Sequence, residues 1–252
     1  MERYKKSVSR EGSLIGFQAW NLGDSMELKN WLGLNFEEHY FVNNNGLITL
    51  FYEEKESEKF YNNLTEELLK EDFFDSLVRN FVDNVNKGRK MLKKEPSKEE
   101  IIELYKLTIK CWPAVTIFDE LSNSPELVKN NIEILDKLLK IRKEYGEFMY
   151  EGDEAISNSI INIYPQINGF ENFITIEEFM DGKFPNKEEL RKRKNHYILH
   201  KSFLEIDKPL AQIAKENCFE IVERYVGEEM TNEVKGRVAM RGKARGKVKV
   251  IF

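Results

Sequence analysis

The chain has 252 residues, enough to bury a sizeable core as one large domain or two modest ones. Its 44 acidic and 39 basic side chains give a formal net charge of −5, which argues against nucleic-acid binding over the whole surface. No apolar run approaches bilayer-spanning length, and no apolar segment follows the charged N-terminus as a secretory signal would require. We therefore expect a cytoplasmic protein without membrane contact.

The two cysteines, Cys111 and Cys218, are far apart in the sequence and have apolar neighbours. Neither belongs to a C-x-x-C pair, so the sequence contains no zinc or redox motif of that kind. Both are expected to be buried, free thiols in a reducing compartment.

Residues 1–95 are predicted to form an N-terminal α+β segment. Residues 12–24 mix three glycines with aromatic side chains, which is compatible with a packed segment or a ligand-facing turn, and Trp20 favours packing. Two β-rich runs then flank Asn-Asn-Asn-Gly, which predicts a hairpin over residues 39–52. We interpret His39, at its edge, as a surface or packing histidine rather than a catalytic one.

Apolar residues at helical spacing predict two helices between residues 53 and 94. Asp72 is a candidate cap for the second helix, and Gly88 lies near its end. Ser97 and Glu100 then form a capping-box pattern that starts a third helix.

The third helix is expected to kink or break at Pro113, because proline lacks the backbone donor that a helix interior needs. Another helix is predicted from Ser124 to a point between residues 146 and 152, followed by a short one over residues 153–164. Residues 96–228 are thus predicted to be a domain of antiparallel helices with a connector.

The connector contains a short helix capped by Thr175 and ended by Gly182. A basic helix over residues 186–194 follows and leads into a strand over residues 197–199. A final helix is predicted over residues 209–224.

Two groups of side chains are candidate sites before the C-terminal tail. One is a cluster of five acidic residues, namely Glu144, Glu147, Glu151, Asp153 and Glu154. It could serve acid/base chemistry or a metal, but a solvated helix face is the favoured interpretation, since no histidine joins it. The other is His196 with His200, four residues apart, which would share a helix face as metal ligands. Because a strand is predicted there and no third ligand is evident, we predict no metal site and no catalytic residue.

The most specific pattern lies in residues 229–252, the third predicted domain. Its residues 247–252 alternate charged and β-branched side chains as a half-buried strand does, and nothing after them could cover the apolar face. The chain is therefore expected to be a truncated form of a longer protein. Glycines punctuate the tail at Gly236, Gly242 and Gly246, which we interpret as structural turn positions.

From residue 173 onward the chain resembles the PEP-utilising enzyme family, which includes phosphoenolpyruvate synthase, pyruvate phosphate dikinase and the rifampicin phosphotransferases. The matching tail positions are Gly236, Ala239, Gly242, Gly246, Val248, Val250 and Ile251. One departure is Met240-Arg241, where the family usually has a small residue and proline. The resemblance covers about the last third of the chain.

The predicted elements together give a mainly α, α+β fold with a small N-terminal β-hairpin. The resemblance implies that the antiparallel helical domain is followed by the first strands of a swivelling β/β/α phosphohistidine domain. It also implies a phosphotransferase whose phosphorylated histidine, in a Thr-or-Ser-x-His motif, lies beyond Phe252, so this chain alone is expected to be inactive. PEP or ATP with Mg²⁺, a small-molecule phosphoryl donor and acceptor, and a separate ATP-grasp module are implied for the longer protein. No cofactor is expected in this chain.

Two other functions fit the sequence less well. The tail has seven basic and no acidic side chains from residue 235 onward, as in a basic arm that binds nucleic acid, but only Phe252 could stack on a base. The helical region could also serve as an adaptor that binds a partner protein, although only its fold class favours this.

Overall fold

The computed structural model describes residues 1–92, 96–123 and 132–222, in which helices pack on a six-stranded mixed sheet. The helices are α1 (Leu14–Leu22), α2 (Lys29–Leu32), α3 (Glu54–Glu67), α4 (Phe73–Met91), α5 (Lys98–Asn123), α6 (Ile132–Tyr145), α7 (Phe148–Ile163), α8 (Ile176–Asp181), α9 (Lys187–Asn195) and α10 (Leu210–Asn217). The strands are β1 (Arg3–Glu11), β2 (His39–Asn44), β3 (Leu47–Glu53), β4 (His196–His200), β5 (Phe203–Glu205) and β6 (Glu220–Val222). The prediction of a mainly α, α+β fold is confirmed. The predicted helix start at Ser124 and the tail glycines Gly236, Gly242 and Gly246 lie outside the described residues.

The sheet has the strand order β5-β4-β2-β3-β1-β6. Its neighbouring strands are antiparallel except for β1 and β6, which run parallel. The predicted hairpin is confirmed as β2 and β3, joined through Asn45 and Gly46. Both turn residues have positive φ, 54° and 90°, as the tight hairpin turn that matches the strand twist demands.

The strand β1 was not predicted, because its charged and polar side chains give no alternating apolar pattern. It is nevertheless interior to the sheet, between β3 and β6. Its register against β3 shifts between Lys6 and Ser9, which marks a β-bulge. Pairing with neighbours therefore determines its strand structure more than its own sequence does.

The two faces of the sheet contribute to two apolar clusters. Successive side chains of β2 alternate between the two faces. Phe41 packs into the main core with the helices, whereas Tyr40 and Val42 pack with α10 on the opposite face. The main core contains buried side chains from both sides of residue 95, so the predicted boundary there does not separate two cores. In the described part of the chain, no helix combines the length and apolar content needed to cross a bilayer.

Of the two outcomes predicted at Pro113, a kink or a break, the break does not occur, because α5 continues through Pro113 as one helix. Proline at this position removes the hydrogen bond to the carbonyl of Ile109. That carbonyl faces Gly23, where an added Cβ would come within 2.8 Å of it and within 2.5 Å of the Trp112 Cβ. Gly23 begins a π-helical turn, Gly23–Glu27. Because glycine has no side chain, this turn can approach α5 at the point where Pro113 interrupts the hydrogen bonding of the helix.

Two of the predicted capping signals are confirmed, whereas Asp72 lies at the N-cap position of α4 but its side chain makes no capping hydrogen bond there. Ser97 and Glu100 exchange side-chain and backbone hydrogen bonds at the start of α5, and Thr175 forms a capping box at the start of α8. By contrast, the final helix predicted to residue 224 ends at Asn217. Cys218 then adopts a left-handed conformation and is exposed, so the prediction that it is buried is wrong, whereas Cys111 is buried.

A buried ion pair fixes α8 against α9. The Arg193 side chain donates to both carboxylate oxygens of Glu178, at 2.9 and 2.8 Å, and to Glu189 at 2.6 Å. Arg193 is 5% exposed, and Glu178 also completes the Thr175 capping box. Because the carboxylates neutralise and orient the guanidinium, losing it would leave negative charge without a partner.

Replacing Arg193 with Met is expected to lower the free energy of unfolding by about 3 kcal/mol, because one partner of a buried pair is removed. The matched control is Lys192→Met, whose ion pair with Asp207 is exposed and spans 3.0 Å, so that its loss should lower stability far less than the loss of Arg193. Urea unfolding of both variants measures the difference. Equal losses would contradict the assignment of Arg193 as a buried structural charge.

Candidate functional site

A small pocket lies where the turn from β1 into α1 meets α5 and α7. Its volume is about 40 Å³, room for only a few non-hydrogen atoms. The walls combine apolar and aromatic side chains with a carboxylate and a guanidinium. The lining includes Arg10, Phe17, Trp20, Tyr105, Trp112 and Asp153. The half-exposed ring of Tyr150 also lines this space, which we call the Asp153 pocket.

Asp153 of α7 caps the N-terminus of α1 through Ser13. The backbone N–H of Ser13 donates to Asp153 Oδ2 at 2.9 Å, and the Ser13 hydroxyl donates to Oδ1. Ser13 Oγ in turn accepts a hydrogen bond from the Gly16 N–H at 3.0 Å. Each carboxylate oxygen carries two lone pairs, so each keeps one acceptor position after bonding Ser13.

Glycine at position 16 allows the Asp153 carboxylate to come this close, because a Cβ there would lie 2.7 Å from Asp153 Oδ1. At Gly12 an added Cβ would instead meet the Phe17 ring, at 2.9 Å. A larger residue at Gly16 would therefore push the carboxylate away from the helix start.

Burial raises the pKa of Asp153, and the hydrogen bonds from Ser13 oppose that shift. The charge of Asp153 and, more strongly, burial raise the pKa of Tyr197, so this phenol remains protonated. A carboxylate with an elevated pKa binds a proton more readily than a solvated one, which suits a general base.

Stacked indole rings form one wall of the pocket. Trp20 and Trp112 lie 4.3 Å apart between ring centroids and are inclined by 5°. The Arg10 guanidinium lies 4.6 Å from the centre of the Trp20 ring, a cation–π contact, and reaches Asp119 at 3.5 Å. The pocket thus has a rigid aromatic wall with a positive charge beside it.

Three buried polar atoms on lining residues have no hydrogen-bond partner in the part of the chain that the structure describes. They are Arg10 Nε, the Tyr105 hydroxyl and Trp112 Nε1, and the side chains of Tyr105 and Trp112 are only 6% exposed. An unpaired buried donor costs about 1–3 kcal/mol, so such groups normally meet a water or a ligand. Here they lie on residues that line the same small space as Asp153.

A second acid, Asp24, lies behind the indole wall and is fully buried. Its Oδ2 accepts from Trp20 Nε1 and its Oδ1 accepts from the Thr116 hydroxyl, both at 2.8 Å. Burial raises its pKa to about 8, although both hydrogen bonds act in the opposite direction. Asp24 is therefore mostly protonated at neutral pH.

The histidines considered from sequence are held by structural contacts. His39 is fully buried among aromatic rings, and burial lowers its pKa to about 3, which confirms the packing interpretation. His196 and His200 lie on β4, and their ring nitrogens contact the backbone carbonyls of Asn43, Lys208 and His39. Among residues 1–92, 96–123 and 132–222, no group of three His, Cys, Asp or Glu side chains could hold a metal.

The acidic cluster predicted as one solvated face divides in two. Glu151 forms a two-pronged ion pair with Arg89, at 3.0 and 3.1 Å, and Glu154 is exposed. Asp153 instead turns inward to Ser13, so the cluster interpretation is wrong for this member. A signal was present, because Asp153 lies one helical turn from Met149 and Ile156, on the apolar side of α7. The sequence around Ser13 contains no corresponding signal, because its partner Asp153 lies 140 residues away in the chain.

Replacing Asp24 with Asn tests its protonation, because the Asn side chain is neutral, as a protonated Asp is, and keeps an oxygen that can accept from Trp20 Nε1. Between the ordinary Asp pKa of about 3.9 and the folded value of about 8, only the folded wild type binds this proton, so its stability falls as pH rises. The stability of Asp24→Asn relative to wild type should therefore increase by on the order of 1 kcal/mol per pH unit and level off above pH 8. Urea unfolding at a series of pH values measures this, and parallel curves would contradict it.

No family model, no curated protein and no solved structure matches the chain.

Proposed function

We propose that the described body is the acceptor-binding part of a PEP-utilising, phosphohistidine-dependent phosphotransferase. The observation that carries the proposal is the composition of the Asp153 pocket. It combines a carboxylate that retains acceptor capacity with two buried donors, on Tyr105 and Trp112, that have no partner among the described residues. The resemblance of residues 235–251 to the start of a phosphohistidine domain supplies the reaction class.

A hydroxyl group is the acceptor that matches this pocket best. An alcohol donates one hydrogen bond and accepts others, so it can donate to Asp153 while accepting from Tyr105 or Trp112. Its carbon skeleton can lie against Phe17 and the indole wall. A carboxylate in the same place would meet the negative charge of Asp153 and is disfavoured.

The reaction follows from these contacts. Asp153 removes the proton from the bound hydroxyl as its oxygen attacks the phosphorus of the phosphohistidine. The new O–P bond forms while the N–P bond breaks, and the electron pair of that bond returns to the imidazole nitrogen. Arg10, beside the indole wall, supplies positive charge that would stabilise the phosphoryl oxygens.

The phosphohistidine itself is assigned to a Thr-or-Ser-x-His motif after Phe252. PEP or ATP would phosphorylate this histidine at a separate site, as the resemblance implies. Mg²⁺ is implied as well, but the described residues offer no group of three candidate ligands for it. No step above is therefore assigned to a metal.

Phosphohistidine formation is the first test. The whole reading frame that includes any residues after Phe252 should, with labelled PEP or ATP, acquire an acid-labile and alkali-stable phosphate. The label is expected outside the described residues. His39 is buried, His196 is held through both ring nitrogens, and His200 contacts the His39 carbonyl through Nδ1 and lies 3.8 Å from Glu38 through Nε2. A stop codon directly after Phe252, or a label on one of these histidines, would contradict the proposal.

The second test distinguishes phosphoryl transfer to the acceptor from phosphorylation of the histidine. In the same protein, Asp153→Asn should lower the rate of transfer to an alcohol by about 10²–10⁴ as the general base is lost, while phosphohistidine still forms. The matched control is Glu154→Gln, the exposed neighbour on α7, which should change neither step. Equal effects of the two substitutions, with both proteins folded, would remove Asp153 from the mechanism.

A further inference from the structure

The walls of the Asp153 pocket hold one more unpaired donor than the alcohol of the proposed function requires. The three donors without a partner among the described residues are Arg10 Nε, the Tyr105 hydroxyl and Trp112 Nε1. The side chains of Tyr105 and Trp112 are almost wholly buried, and the Nε atom of Arg10 is buried although its side chain is 20% exposed. Each donor therefore needs an acceptor from a ligand or a water.

A single alcohol oxygen cannot satisfy all three donors. The hydroxyl in the proposed function donates its hydrogen to Asp153, and its oxygen has two lone pairs. It therefore accepts at most two hydrogen bonds, and at least one donor needs a second acceptor atom. The neutral donors of Tyr105 and Trp112 suit the alcohol oxygen. The N–H of the Arg10 guanidinium is the donor that an anionic acceptor matches best, because a charge-assisted hydrogen bond is stronger than a neutral one.

Arg10 shares its carboxylate partner with a second arginine. Its terminal nitrogen lies 3.5 Å from Asp119, at the long end of hydrogen bonding, and Asp119 also lies 4.0 Å from Arg142. A guanidinium has five N–H donors in a fixed plane. Arg10 can therefore bind an anion through Nε and still contact Asp119 and the phosphoryl oxygens through its terminal nitrogens.

The opposite charges of Asp153 and Arg10 orient a ligand that carries both a hydroxyl and a carboxylate. The carboxylate is repelled by Asp153 and attracted by Arg10, whereas the hydroxyl can donate to Asp153. The two groups of the ligand must be close together, because the pocket volume is only about 40 Å³. A carboxylate attached directly to the carbon that bears the hydroxyl is the most compact arrangement.

We propose that the Asp153 pocket binds a small saturated 2-hydroxycarboxylate, with its hydroxyl at Asp153 and its carboxylate at Arg10 Nε. Its carbon atoms would lie against Phe17 and Trp20, which line the pocket. This assignment rests on the proposed function, from which it takes the position of the hydroxyl. Transfer would give the O-phosphorylated acid: the hydroxyl proton moves to Asp153, the O–P bond forms, and the electron pair of the broken N–P bond stays on the imidazole.

Three probes distinguish the two ligand groups on the wild-type chain. Glycolate carries both groups, glycolamide replaces the carboxylate with a neutral amide of similar shape, and acetate lacks the hydroxyl. NMR titrations followed through the indole N–H signals give the affinities, since Trp20 and Trp112 line the pocket. Glycolate should bind at least about fivefold more tightly than glycolamide and than acetate.

The outcomes separate this inference from the proposed function. Equal binding of glycolate and glycolamide, with acetate weaker, would overturn the contact between the carboxylate and Arg10 but leave the hydroxyl at Asp153. Equal binding of glycolate and acetate would overturn the hydroxyl contact, and with it the proposed function. If glycolate does not bind, the present proposal is overturned whatever the result with glycolamide.

Two variants locate the carboxylate. Arg10→Gln removes the guanidinium, so the preference for glycolate over glycolamide should fall below about twofold. The matched control is Arg142→Gln, which removes a guanidinium that contacts the same Asp119 but is not among the lining residues, and it should keep the wild-type preference. Because both ligands are titrated into the same protein, their ratio does not depend on the folded fraction. A wild-type preference in Arg10→Gln would overturn the proposal.

Discussion

The contact between Asp153 and Ser13 is the interaction on which the Asp153 pocket depends. It connects α7 to the first turn of α1, so two segments 140 residues apart share one small space. A carboxylate at a helix N-terminus is favourable because it accepts from the free N–H groups and faces the positive end of the helix dipole. Gly16 leaves room for the Asp153 carboxylate to approach the start of α1. The stacked rings of Trp20 and Trp112 form another wall of the pocket. The pocket is thus a consequence of how α1, α5 and α7 pack.

The same contact explains why Asp153 can be both a structural and a chemical group. Ser13 occupies one acceptor position on each oxygen and fixes the carboxylate, while burial keeps its proton affinity above that of a solvated Asp. Burial has a different result at Asp24. Its carboxyl group has two neutral donors and no cation as a partner among the described residues, and it is mostly protonated at neutral pH. Trp20 binds Asp24 on one side and lines the Asp153 pocket on the other, so the two acids are neighbours across one indole wall.

Local signals in the sequence predicted the elements whose structure is decided locally. The Asn45-Gly46 turn requires positive φ, and the Thr175 and Ser97 boxes satisfy helix N–H groups within four residues, so each could be read directly. The strand β1 could not be predicted in this way, because its pairing with neighbouring strands determines it. The continuity of α5 through Pro113 could not be predicted either, because it depends on the packing of Gly23 against α5. The Asp153 pocket was not predicted either, because Ser13 and Asp153 are brought together only by the packing of α7 against α1. The tail residues that carry the family resemblance lie outside the described residues, so the assignment of the reaction class stays a prediction.

The central claim is that the Asp153 pocket holds a hydroxyl group between an acceptor and two donors. Crystals soaked in propan-2-ol test it directly, because this alcohol is small and carries no charge to steer it elsewhere. The alcohol oxygen should lie about 2.6–3.2 Å from the Asp153 carboxylate and accept a second hydrogen bond from Tyr105 or Trp112. Alcohol bound only elsewhere, or a Tyr105 hydroxyl and Trp112 Nε1 already bonded to protein atoms, would contradict it.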